Sequence, residues 1–216
     1  YGRYFIGERH AEGMAQGLLA LEQNWKGPLL TNSAVETTLA QFQVMERTAS
    51  PADLLNWRFQ QALYRAYYDA FLRDRLIVET AQQDQAMEVL RQAKRIGSLT
   101  ALEQAHSILA QATLRPAAED RRTRVNELAE ALFQSIHMQL SSGLYQGQRG
   151  RGTSQDNLDL PLNDRLWLEL QFDAIRKLET EQERVAAIDA LVNRTNPGPG
   201  GFYDDLGDPS AQPHLV

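Results

Sequence analysis

Between Pro51 and Gly97 the chain runs for more than forty residues without a glycine or a proline. No other feature restricts the fold as much. Proline removes a backbone donor and glycine costs backbone entropy, so their absence lets a helix persist. A helix of that length in a chain of 216 residues needs a long antiparallel partner or a kink. Its start is marked by Ser50-Pro51-Ala52-Asp53. Ser accepts from free N–H groups of the first turn, Pro is pre-organised there, and Asp faces the positive end of the helix dipole. The first half is crowded with Trp57, Phe59, Tyr64, Tyr67, Tyr68 and Phe71. These fall on more than one face, with Ala62, Leu63, Ala66 and Ala70 interleaved, so this half is expected to be surrounded by other helices. The second half, Thr80 to Arg95, is more polar and is expected to pack on one side only or to project into solvent.

The same periodicity places helices on both sides. Met14, Leu18, Leu21 and Trp25 form one apolar stripe that ends at Gly27-Pro28. Val35, Leu39, Phe42 and Met45 form another, with Ser33 and Glu36 spaced as a capping box. Thr100 and Glu103 open a helix carried by Leu102, Ile108, Leu109 and Ala112. The next is carried by Val125, Leu128, Leu132, Ile136 and Leu140. Two more follow, one on Leu166, Trp167, Leu170, Ile175 and Leu178, the other opened by Thr180 and Glu183. No segment alternates in the manner of a strand. The expected fold class is therefore all-α: an irregular helical bundle of about seven helices, with one very long helix and an antiparallel helical arm. Residues 1–195 would form the bundle, and 196–216, beginning Asn196-Pro197-Gly198-Pro199, a Pro/Gly-rich extended linker or tail.

Composition excludes whole classes of chemistry. With no cysteine there can be no disulfide, thiolate metal site or thiol nucleophile. A net charge of -6 argues against non-specific attraction to nucleic acid. No apolar run is long enough for a membrane-spanning helix. His10, His106, His137 and His214 lie far apart, without zinc-like spacing to one another or to a carboxylate. No cofactor, metal or catalytic residue is expected within the chain.

Three features could hold a ligand. In Gly147-Gln148-Arg149-Gly150-Arg151-Gly152 the glycines admit an anion to the backbone, and Arg149 and Arg151 could grip a carboxylate or phosphate. The loop lacks the Lys-Ser/Thr ending of a P-loop and reads better as a connector. Asp204, Asp205 and Asp208 gather oxygen ligands beside Gly207, without EF-hand spacing, and read better as a solvated turn. Trp57, Tyr64 and Tyr68 could stack on sugar faces, although aromatics at helical spacing are usually core. These three, with Arg149 and Arg151, are the candidate ligand or glycan contacts.

The opening Tyr1-Gly2-Arg3-Tyr4-Phe5-Ile6-Gly7, followed by Ala15-Gln16-Gly17-Leu18-Leu19-Ala20-Leu21-Glu22, resembles the helical region that follows the catalytic barrel in some large glycoside hydrolases, including relatives of hexosaminidases and α-glucuronidases. The stretch Asn196 to Gly207 resembles the linker from such a region to a carboxy-terminal β-sandwich. Both ends of the sequence fall in mid-pattern, so a piece of a longer, exported bacterial protein is the expectation. The resemblance implies a non-catalytic scaffold, with flanking domains of the same polypeptide as partners and carbohydrate as a candidate ligand. A domain of this kind should expose an apolar patch at Tyr4, Phe5 and Ile6. The alternative is an assembly module, which should expose apolar residues along the arm between about Ile77 and Leu109.

Overall fold

The computed structural model describes residues 2–114, 118–141, 144, 155 and 158–194. Every regular element among them is helical, and the fold is an all-α irregular bundle. Its ten α-helices are α1 (Gly2–Phe5), α2 (Ala11–Gln23), α3 (Ala34–Thr48), α4 (Pro51–Leu55), α5 (Trp57–Arg91), α6 (Ala93–Ile96), α7 (Ser98–Leu114), α8 (Glu119–Ile136), α9 (Arg165–Arg176) and α10 (Glu181–Val192). Three of them, α1, α4 and α6, have four or five residues. The others are the helices the sequence pattern predicts.

The long uninterrupted run is cut at both ends by residues that are neither glycine nor proline. Asn56 adopts φ -72 and ψ 114, outside the helical region. Its Oδ1 accepts from the N–H of Arg58 at 3.0 Å, a local turn that competes with helix continuation, and α5 starts afresh. Gln92 marks the other break, and Gly97, at φ 92, turns the chain into α7. Between them α5 spans 35 residues.

The cap at Ser50 forms as predicted: Ser50 Oγ accepts from Asp53 N at 3.2 Å and Asp53 Oδ2 accepts from Ser50 N at 3.0 Å. Thr180 and Glu183 form the same reciprocal box. The pair Ser33 and Glu36 does not. Ser33 makes no side-chain cap bond; Asn32 Oδ1 accepts from Ala34 N at 3.0 Å, while Glu36 turns to Arg121. Thr100 lies inside α7, which begins at Ser98.

The chain divides into two compact units. The first comprises the described residues of 2–74 and 118–158. Here α2 approaches α3 closely because Gly13 and Gly17 have no side chains. A Cβ on Gly17 would stand 2.8 Å from the Phe42 ring, and one on Gly13 would stand 2.9 Å from Met45 Sδ. Gly2 fits against the start of α2, where a Cβ would come within 2.3 Å of the Ala11 carbonyl oxygen. Phe42, Phe59, Leu63, Phe71 and Leu132 are among its fully buried side chains. Full burial of such groups removes enough apolar surface to contribute about 1.5–3 kcal/mol each.

The second unit comprises the described residues of 75–114 and 159–194. Ala86 and Leu90 of α5 and Ala93 of α6 share a core with Ala101, Leu102, Ala105 and Leu109 of α7. This is the expected pairing of the polar half of the long helix with its successor. Leu168, Phe172 and Ile175 of α9 and Ile188 of α10 complete the core. Sequence reading places Leu170 on the buried face of α9, yet it is exposed. The helix starts later than Asn163, and its buried stripe runs through Leu168, Phe172 and Ile175. The tail 196–216 lies outside the described residues.

Candidate functional site

The buried ionisable groups come first, because they are where chemistry is usually held. Asp69 has no exposed surface. Its carboxylate accepts from Asn24 Nδ2 at 2.9 Å, Trp25 Nε1 at 3.0 Å and Arg65 Nε at 3.0 Å. Burial pushes its pKa up, against the lowering effect of those three donors. Every donor comes from the chain itself, so Asp69 ties the end of α2 to α5. Glu36 of α3 takes both guanidinium arms of Arg121 on α8, at 2.9 and 2.8 Å, and Arg121 also pairs with Asp74 at 3.1 Å. The hydrogen bonds from Arg121 hold the Glu36 carboxyl below its usual range, whereas burial raises Asp74. Glu46 accepts from the Tyr67 hydroxyl at 2.7 Å and from Arg124 Nε at 3.0 Å. Burial, then this bond, raises Tyr67.

In the second unit the buried pair Arg75 and Glu79 pins the segment entering α9. Arg75 donates to Glu79 Oε1 at 2.8 Å and to the Leu160 carbonyl at 2.7 Å, and Glu79 Oε2 accepts from Leu162 N at 2.6 Å. Each of these carboxylates is engaged by donors of its own unit, an arrangement that fixes helices rather than poising an acid or base. Among the described residues no group of three or more His, Asp or Glu could hold a metal ion.

The candidate glycan contacts separate. Tyr64 is buried, and its ring stacks on that of Tyr68 with centroids 5.7 Å apart. Tyr67 and Phe71 are buried with it, in agreement with the core reading of these aromatics. Trp57, at the start of α5, is half-buried with the Arg58 guanidinium over its ring. Arg149 and Arg151 lie outside the described residues, as do Asp204, Asp205 and Asp208.

What remains is an exposed apolar corner where α1 meets the α4–α5 turn. Tyr4 is 88% exposed and Leu55 75%, with Phe5 and Leu54 also exposed. The corner is held in place by its polar neighbours. Asn56 Nδ2 donates to the Phe5 carbonyl, and Gln60 Nε2 donates to the Leu54 carbonyl at 2.9 Å. Arg58 Cζ sits 4.3 Å from the centroid of Phe5 and 4.2 Å from that of Trp57. Of the residues expected in an exposed patch, Tyr4 and Phe5 are exposed and Ile6 turns inward, being 5% exposed; Leu54 and Leu55 are exposed at the neighbouring turn. Sequence reading misses these leucines and Arg58 because it treats residues 51–97 as one helix. The break at Asn56 is what presents them. No family model, curated protein or solved structure matches the chain.

Proposed function

We propose that the chain is a non-catalytic helical accessory domain of a larger carbohydrate-active protein, and that it supports a neighbouring catalytic domain through the corner formed by Tyr4, Phe5, Leu54 and Leu55. The exposed corner is the observation that carries this reading. Scattered apolar residues on a surface are ordinary, and four on two hydrogen-bonded stretches of chain support a contact surface. The resemblance of the opening residues to a region following a catalytic barrel supplies the kind of neighbour. The assembly-module alternative is met in part: Leu90, Leu102 and Leu109 are buried in the core of the second unit, while Ile77, Val78 and Leu99 are exposed.

Two assays on the isolated chain test this function. It should hydrolyse none of a panel of aryl glycosides, including glucuronides and N-acetylhexosaminides. Calorimetry against acidic and N-acetylated oligosaccharides should give no saturable heat. Saturable binding lost in Trp57→Ala, with helicity intact, would make the aromatic start of α5 a glycan site and refute the scaffold role.

A further inference from the structure

The accessory-domain reading leaves the partner's chemistry open, and Arg58 narrows it. We infer that the exposed corner docks a protein segment carrying an Asp or Glu side chain among apolar residues, with Arg58 as the anchor for that carboxylate. The inference rests on the corner being a docking surface.

Arg58 is half-buried, with its guanidinium carbon over the rings of both Phe5 and Trp57. Those contacts use the π-faces of the rings and fix where the guanidinium lies. They do not use its N–H donors. Arg58 makes no ion pair and no side-chain hydrogen bond to any described residue; only its backbone N–H donates, to Asn56 Oδ1. Most other half-buried arginines here are spoken for, Arg73 and Arg121 by Glu36 and Arg124 by Glu46. An arginine already ordered by stacking, with its planar fork of donors free, loses little side-chain freedom on gripping a carboxylate.

The surrounding charge agrees. Arg3 and Arg9 are exposed on the same stretch and form no ion pair among the described residues. Asp53 is committed to the Ser50 backbone N–H and hydroxyl, which hold its carboxyl below the usual range. Glu8 is the remaining acid of residues 2–10. On a chain of net charge -6, Arg3, Arg9 and Arg58 here outnumber the two acids, Glu8 and the ionised Asp53. Exposed Tyr4, Leu54 and Leu55 beside the cation favour a protein segment over a sugar acid or free phosphate, neither of which would cover leucine side chains.

The test uses two peptides, acetyl-Leu-Glu-Leu-Phe-amide and its Gln counterpart, titrated into the intact chain while the backbone amide resonances of Tyr4 and Phe5, present in every variant, are followed by NMR. The Glu peptide should bind about fivefold more tightly, the advantage of an exposed charge pair. The preference should vanish in Arg58→Gln and persist in part in Arg58→Lys, which keeps the charge without the fork. Helicity by circular dichroism checks both variants; if Arg58→Gln does not fold, Arg58→Lys carries the comparison. Equal binding of the two peptides, lost in Leu55→Ser, would overturn the carboxylate anchor and leave the docking corner standing. Binding of neither peptide, or a shift produced by glucuronate or inorganic phosphate but not by the peptide, would overturn the inference.

Discussion

Replacing Asp69 with alanine should cost about 1–4 kcal/mol, most of it arising from Asn24. Asp69 and Asn24 both have no exposed surface, and their side chains meet at 2.9 Å. Without the carboxylate, the Asn24 amide is a buried donor with no acceptor, which costs about 1–3 kcal/mol. The Trp25 indole and the Arg65 guanidinium also lose their partner, but both are partly exposed and water takes over, adding at most about 1 kcal/mol. In Asn24→Ala the carboxylate keeps Trp25 and Arg65, so the loss should be smaller, about 1–2 kcal/mol. The double variant should be less destabilised than the sum by about 1–2 kcal/mol, because each single change strands a group that the other removes. Urea denaturation followed by helical circular dichroism measures all four corners of the cycle. A cost below about 0.5 kcal/mol for Asp69→Ala, or strict additivity, would refute the claim that this contact ties α2 to α5.

Gly17→Val should destabilise by about 1–3 kcal/mol, since even a Cβ would stand 2.8 Å from the Phe42 ring; thermal melting of a variant with unchanged stability would show that α2 can back away. Glu79→Ala should cost about 1–3 kcal/mol by removing the buried acceptor of both Arg75 and the Leu162 N–H, read by denaturant midpoint. For pH, Arg121 holds the folded pKa of Glu36 below the ordinary carboxylate range, so its contribution is present above that range and is lost as pH falls through the lowered value. Asp69 and Asp74, raised by burial, act in the opposite sense, losing stability as pH rises through their folded values. Stability measured from pH 6 to pH 3 should therefore fall less steeply on the acid side in Glu36→Gln than in the parent chain, and more steeply in Asp69→Asn. Ser50→Ala should cost about 1 kcal/mol through loss of the cap on α4, measurable in the same way.

The bundle was legible because helices leave a strong periodic signal, and most of the helical segments fall where the apolar stripes and caps put them. The breaks were not. Asn56 and Gln92 interrupt the longest helix by local backbone geometry that no glycine or proline announces. The cap at Asn32 displaced the one expected at Ser33 because Glu36 found a stronger partner 85 residues away in Arg121. Such long-range ion pairs depend on which helix faces which, information that spacing within one helix does not hold. The exposed corner was half legible for the same reason. Tyr4 and Phe5 stand out in the opening residues, whereas Leu54, Leu55 and Arg58 join them only through the Asn56 turn and its bond to the Phe5 carbonyl.

The most direct test of the accessory-domain account is hydroxyl-radical footprinting of the isolated chain beside a longer polypeptide in which the proposed catalytic neighbour adjoins it. Tyr4, Phe5 and Leu55 should be oxidised readily in the isolated chain and protected severalfold in the longer protein, while Leu99, exposed in the second unit, reacts alike in both. Equal reactivity of Tyr4 and Leu55 in the two settings would mean that no neighbour covers the corner, and would contradict the account.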